Sequence, residues 1–148
     1  MRKLSFIFLL LASFCVSSCS DKCADAEAPA LPSLFVTIID SENEQNVFTN
    51  GRFSESQIVV SLPNEQEVPY RFLTNSNLLH VVPLRTLDEG NIILLTLNNP
   101  ETDDLVTVEL QFDVETQNEE CFNLRKVTNV QSPTHEIEFI GSSVIVKI

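Results

Sequence analysis

Glu136 and Glu138 stand two residues apart in a segment, Glu136–Ile140, that reads as a β-strand. Two carboxyls on one strand face lie ~6.8 Å apart, a separation that overlaps the one inverting glycosidases use to seat a water between an acid and a base. Acid catalysis also needs one carboxyl desolvated, and a sugar site asks for aromatic platforms. The chain has no Trp and one Tyr, so the pair reads first as a solvated strand face. His80 sits among Leu78, Leu79, Val81 and Val82 with no ligand at metal-binding spacing, and His135 adjoins Glu136 in a polar turn. The acidic turns Asp40–Glu44 and Glu101–Asp104 concentrate oxygen ligands of the kind hard cations take, but neither has an EF-hand's spacing. Neither a Gly-x-Ser-x-Gly elbow nor a Ser-x-x-Lys pair is present. The reading is therefore of a non-enzyme, with no catalytic residue, no metal and no cofactor.

The N-terminus carries chemistry of another sort. Arg2 and Lys3 precede Leu4–Val16, thirteen largely apolar residues. Such a run suits the apolar core of an export signal and falls short of the ~20 residues a spanning helix needs. Val16-Ser17-Ser18-Cys19 then resembles the lipobox of bacterial lipoproteins. The resemblance implies cleavage between Ser18 and Cys19 and palmitate-type acylation of Cys19, on its sulfur through a glyceryl thioether and on its new amino group. Cys15 is the rival, but Phe14 before it is too bulky for the position. Each buried methylene adds ~0.8 kcal/mol of membrane affinity, so three chains would hold essentially permanently where one binds reversibly. Ser20 follows Cys19 where an Asp would resemble an inner-membrane retention signal, which favours the outer membrane, on its periplasmic or its surface side.

Cys15 leaves with the signal and Cys19 is used by the lipid, so Cys23 and Cys121 remain as a disulfide pair. An even remainder in an oxidising compartment favours pairing. Closing so long a loop is worth ~3–5 kcal/mol in the chain-entropy model. The pair would also pin the segment 20–33, rich in Ala, Pro and acids, against the domain and hold it close to the membrane.

What must position these groups is β-structure. No Ala occurs from Leu31 to Ile148, while Val, Ile, Thr and Phe recur. Val106–Val114 alternates apolar and polar residues strictly, which predicts a strand with one wet face. Further strands are expected over Leu34–Ile39, Gln57–Leu62, Val68–Thr74, Leu78–Leu84, Asn91–Leu97, Cys121–Thr128, Glu136–Ile140 and Ser143–Ile148. Asn50-Gly51 reads as a type I′ hairpin turn, and Gly141-Ser142 separates the last two strands. Ile92–Leu95 is apolar on both faces and reads as a strand covered on both sides, whereas Pro69 and Pro83 push their strands to sheet edges. The expected fold is all-β, an antiparallel two-sheet sandwich, immunoglobulin-like in the loose architectural sense. Its expected divisions are a signal over 1–18, a lipidated tether over 19–33 and the sandwich over 34–148.

The lipobox, the acidic Pro/Ala spacer, a first strand Phe35–Asp40 and a late alternating strand before Cys121 resemble the small lipoproteins of Bacteroidota. The resemblance implies an anchored extracytoplasmic β domain and assigns no catalytic residue. The formal charge of -12 over 148 residues repels phosphate backbones, so no nucleic-acid partner is expected. The function expected is a binding or assembly module held at the membrane through its lipid, with a protein or glycan partner. A hydrolase using Glu136 and Glu138, or a protease-inhibitor-like module, is the alternative.

Overall fold

The structure, a computed structural model, describes residues 31–83 and 86–148. The signal, Ser18, Cys19, Cys23 and most of the tether lie outside the described residues. Nine strands run in chain order: β1 (Leu34–Ile39), β2 (Ile58–Ser61), β3 (Tyr70–Leu73), β4 (Leu78–Val81), β5 (Asn91–Asn99), β6 (Asp104–Asn118), β7 (Asn123–Gln131), β8 (Glu136–Ile140) and β9 (Ser143–Lys147), with one turn of 3₁₀ helix at Glu55–Gln57. They form a five-stranded sheet in the order β3-β4-β1-β9-β8 and a four-stranded sheet in the order β2-β5-β6-β7. The two layers close over one core, which is the two-sheet sandwich expected. No helix among the described residues is long and apolar enough to cross a membrane.

Alternation decides which side chains meet. Leu34, Val36 and Ile38 of β1 are fully buried, and Val108, Leu110 and Phe112 of β6 face them from the other sheet, at 2% exposure or less. Fully burying a Leu, Val or Phe side chain contributes about 1.5–3 kcal/mol each, so these positions dominate stability. The outward partners on β6, Thr107, Glu109 and Gln111, keep contact with water. Gly141 takes φ +67°, the left-handed value that suits the first position of the two-residue β8–β9 hairpin.

Five expectations are corrected, the fifth concerning Cys121. First, the connectivity is not wholly antiparallel: β1 pairs β9 in parallel, from Phe35 opposite Ser143 to Ile39 opposite Lys147. The likeness to immunoglobulin domains thus stops at the two layers, because there the first and last strands lie in different sheets. Second, Asn50-Gly51 makes no hairpin. It lies in the long crossing from β1 to β2, with Gly51 at φ +79° and no strand on either side. Third, β4 is interior, between β3 and β1, because Pro83 falls past its last residue and costs the ladder nothing. β3, preceded by Pro69, is an edge strand as expected. Fourth, β5 is covered on one face only, for Ile92 and Leu94 are half-buried on the outer side of the sheet while Ile93 and Leu95 fill the core.

Cys121 also moves from the expected strand into a turn, where Glu119 N–H donates to the Phe122 carbonyl at 2.9 Å. β5 pairs β6 only as far as Phe112, so the later part of β6 and the start of β7 run on as a two-stranded arm with Cys121 at its tip. The root of this arm is pinned at a register shift between Gln111 and Asp113, across from Asn129 at φ 51°. Asp113 accepts hydrogen bonds there from Gly90 N–H at 2.9 Å and from Asn129 Nδ2 at 3.0 Å.

Those bonds, the one from Asn129 first, hold the Asp113 carboxyl below its ordinary pKa. A carboxyl depressed in the folded state stabilises fully above its unfolded pKa and loses that contribution as pH falls through its folded one. Asp113→Asn is therefore expected to flatten the acid limb of a stability-pH curve below about pH 4, measured by urea midpoints. An acid limb that keeps its slope would show that the two bonds are not formed.

Candidate functional site

The two acidic turns, far apart in sequence, converge at one end of the sandwich. The point of convergence is an arginine. Arg52 is set by an Asx-type turn in which its N–H donates to Asn50 Oδ1 at 3.0 Å, just past the left-handed Gly51. Its Nε donates to Asp104 Oδ2 at 2.8 Å and its Nη1 to Asp40 Oδ2 at 3.3 Å. The Asp40 side chain is 13% exposed, and its second oxygen accepts the Glu42 N–H at 2.9 Å. Asn99, itself buried, donates to the Arg52 carbonyl at 2.8 Å and accepts from Gln57 Nε2 at 3.2 Å. The hydrogen bond to Asp104 does most to raise the guanidinium pKa above its ordinary value, against the opposing cost of burial.

Arg52 thus supplies the positive charge between the two acidic turns, tying the end of β1 to the start of β6. Its role is structural, as a fixed positive charge shared between two carboxylates. Among the described residues no group of three or more His, Cys, Asp or Glu side chains is placed to hold a metal ion. Removing one partner of such a part-buried pair leaves the other uncompensated. A double-mutant cycle of Arg52→Ala and Asp104→Ala is expected to give a coupling of about 0.5–3 kcal/mol by urea denaturation. Strict additivity would deny the pairing.

The remaining candidates are dispersed. Glu136 and Glu138 sit on the outer face of β8, an edge strand, and Glu136 is ion-paired to Lys147 at 2.6 Å with its own side chain 72% exposed. Neither lines the two concavities described below. His80 stacks on Phe35 across the β1–β4 ladder, centroids 4.6 Å apart. His135 Nδ1 lies 2.8 Å from Thr134 Oγ1, and burial lowers its pKa. Glu136 and Glu138 thus share one exposed face of β8 as the alternation predicts, and what the structure adds is the pairing of Glu136 with Lys147.

The comparisons add no relative. The chain matches no protein-family model, no curated protein and no solved structure.

Two of the concavities among the described residues bear on a site and were not foreseen. A cleft of about 340 Å³, lined among others by Leu62, Pro63, Leu87, Ile92 and Phe112, opens at the end of β5. Of its polar lining, Asn91 is already spent, on Leu87 N–H and carbonyl at 2.7 and 2.8 Å and on the Phe112 carbonyl at 3.2 Å, and Asn64 Oδ1 accepts the Gln66 N–H at 3.3 Å. The larger, a groove of about 830 Å³, runs along β7 towards the β8–β9 turn, and Leu31 and Ser33 form part of its wall. Arg125 and Lys126 line it, and so does Thr128, whose buried Oγ1 has no hydrogen-bond partner among the described residues. Cys121 is disulfide-bonded; any cysteine able to pair with it, Cys23 included, lies outside the described residues.

Proposed function

We propose that the chain is an exported lipoprotein, anchored at the outer membrane by acyl groups on Cys19, whose sandwich presents a binding surface to a protein or glycan partner. The observation that carries this reading is Val16-Ser17-Ser18-Cys19 placed directly after a charged start and an apolar run. The chain's entry into the fold agrees with it. Leu34, the first residue of β1, is fully buried fifteen residues after Cys19, so at most about 54 Å of chain separates the anchor from the domain.

Attachment by lipid fits the charge of the body. Loss of residues 1–18 removes Arg2 and Lys3 and takes the formal charge from -12 to about -14. Anionic headgroups repel such a body within a Debye length of ~8 Å, so greasy chains must supply the affinity. Cys23 is the proposed partner of Cys121, because Cys15 is lost with the signal and Cys19 is consumed. Presentation would use the loops at the Arg52 end or the open edge of β3, where an extended partner could add a strand through backbone hydrogen bonds. The test is crosslinking in intact cells of the wild-type chain beside Cys19→Ala, together with the mass of the mature N-terminus. A reproducible partner captured only by the acylated form is expected. A mature chain beginning at another residue, unmodified, would overturn the reading.

A further inference from the structure

We propose that Asn50-Gly51 is a self-modification site, at which the chain converts Asn50 to isoaspartate through a succinimide and so loosens the hold of Arg52 on Asp40 and Asp104. The reaction needs a side-chain amide, a following backbone nitrogen free to attack it, and room for a five-membered ring. All three meet here. Asn50 and Gly51 are both exposed, and a Cβ built on Gly51 would meet nothing within 4 Å. Glycine puts no side chain of its own in the way.

What singles the pair out is the state of the attacking amide. At Asn43, Asn46, Asn64 and Asn75 the next residue's N–H is already held. Glu44 donates to the Asp40 carbonyl at 2.9 Å, Val47 to the Ile38 carbonyl at 3.1 Å, Glu65 to the Leu62 carbonyl at 3.0 Å and Ser76 to the Leu73 carbonyl at 3.0 Å. Gly51 N–H has no such acceptor among the described residues. The electrophile is prepared as well. Asn50 Oδ1 accepts the Arg52 N–H at 3.0 Å, and a donor on that oxygen stabilises the negative charge it takes up when the nitrogen adds.

Hydroxide removes the Gly51 amide proton, the nitrogen's electron pair forms a bond to Asn50 Cγ, and the tetrahedral intermediate expels ammonia, which takes its third hydrogen from water. Water then adds to one of the two ring carbonyls. Breaking the new N–Cγ bond gives aspartate, whereas breaking the original peptide bond gives isoaspartate, whose main chain runs through Cβ and Cγ. The balance is one water consumed and one ammonia released, with a neutral amide turned into a carboxylate. In isoaspartate the carbonyl that set Arg52 belongs to a main chain one atom longer. The turn that aims the guanidinium at Asp40 and Asp104 is then lost.

The test incubates the purified chain at mildly alkaline pH in oxygen-18 water, native and unfolded in urea, and maps its asparagine peptides by mass spectrometry with fragmentation that distinguishes isoaspartate. In the native chain Asn50 is expected to convert about tenfold faster than Asn43, Asn64 or Asn75, the factor that one hydrogen bond to a developing charge supplies, and no slower than in the unfolded chain. A native rate no greater than at those three, or one that falls on folding, overturns the site. Aspartate without isoaspartate overturns the succinimide route. The isoaspartyl form, once separated, should unfold at lower urea than the unmodified chain, and the difference should vanish in Arg52→Ala. No difference, or an equal one in Arg52→Ala, overturns the loosening of Arg52 and leaves the modification standing.

Discussion

On the proposed anchoring, Cys19→Ala is expected to lose every acyl chain and the cut after Ser18 together, leaving a precursor of higher apparent mass that does not accumulate in the outer membrane. The effect is all-or-none, because no other group can replace the sulfur. Lipoprotein processing of the kind the lipobox implies cleaves only after the thiol is modified, so one substitution blocks both steps. Three acyl chains at ~0.8 kcal/mol per buried methylene exceed anything the acidic sandwich could regain by surface contact. Fractionation, with mass spectrometry of the N-terminal peptide, reads the outcome. Unchanged processing and unchanged membrane partition in the variant would remove the anchor from the account. Cys15 would then be the residue to examine.

The largest effect on stability is expected from Phe112→Ala, at about 3–5 kcal/mol. Phe112 is 2% exposed and heads the fully buried side chains by volume. It lies opposite Asn91 in the β5–β6 ladder, just before the register shift at the root of the arm. Its carbonyl also accepts from Asn91 Nδ2 at 3.2 Å, so the backbone there is held and cannot settle easily into the space the ring leaves. A fall in urea midpoint with unchanged m-value is the expected signature. A loss under about 1 kcal/mol would mean that the site collapses and the core is looser than its burial implies.

Much of this architecture was legible in the residues. β1 and β8 begin and end where alternation places them, and the apolar members of Val106–Val114 do face the core, Val106 from its margin. Period-two patterning reports which face of a strand is apolar. It carries nothing about which strand lies alongside, so the parallel β1–β9 pair was invisible, as was the interior position of β4. Ile92 and Leu94 misled for a related reason: apolar residues on both faces suggest a second covering layer, and here the outer one is left half-open.

The chemistry was legible in a different measure. The acidic turns were visible as clusters of oxygen, but the cation that answers them, Arg52, lies in a crossing with no periodic pattern, and only the folded chain brings it to Asp40 and Asp104. Nothing in the run Asn98-Asn99-Pro100 says that Asn99 turns inward to bind the Arg52 carbonyl. The groove beside β7 had no local signal, since its walls come from three separate stretches of chain.

The parallel partnership of β1 with β9 governs the order of assembly. The first strand of the fold has β4 on one side and must wait for residues 143–147 before its other side is filled. Contacts so far apart in sequence come late and slowly, because the chain bears the entropy of closing the whole loop before any reward. The leading half of the domain therefore stays pliable, and the sandwich locks only when the trailing strand arrives.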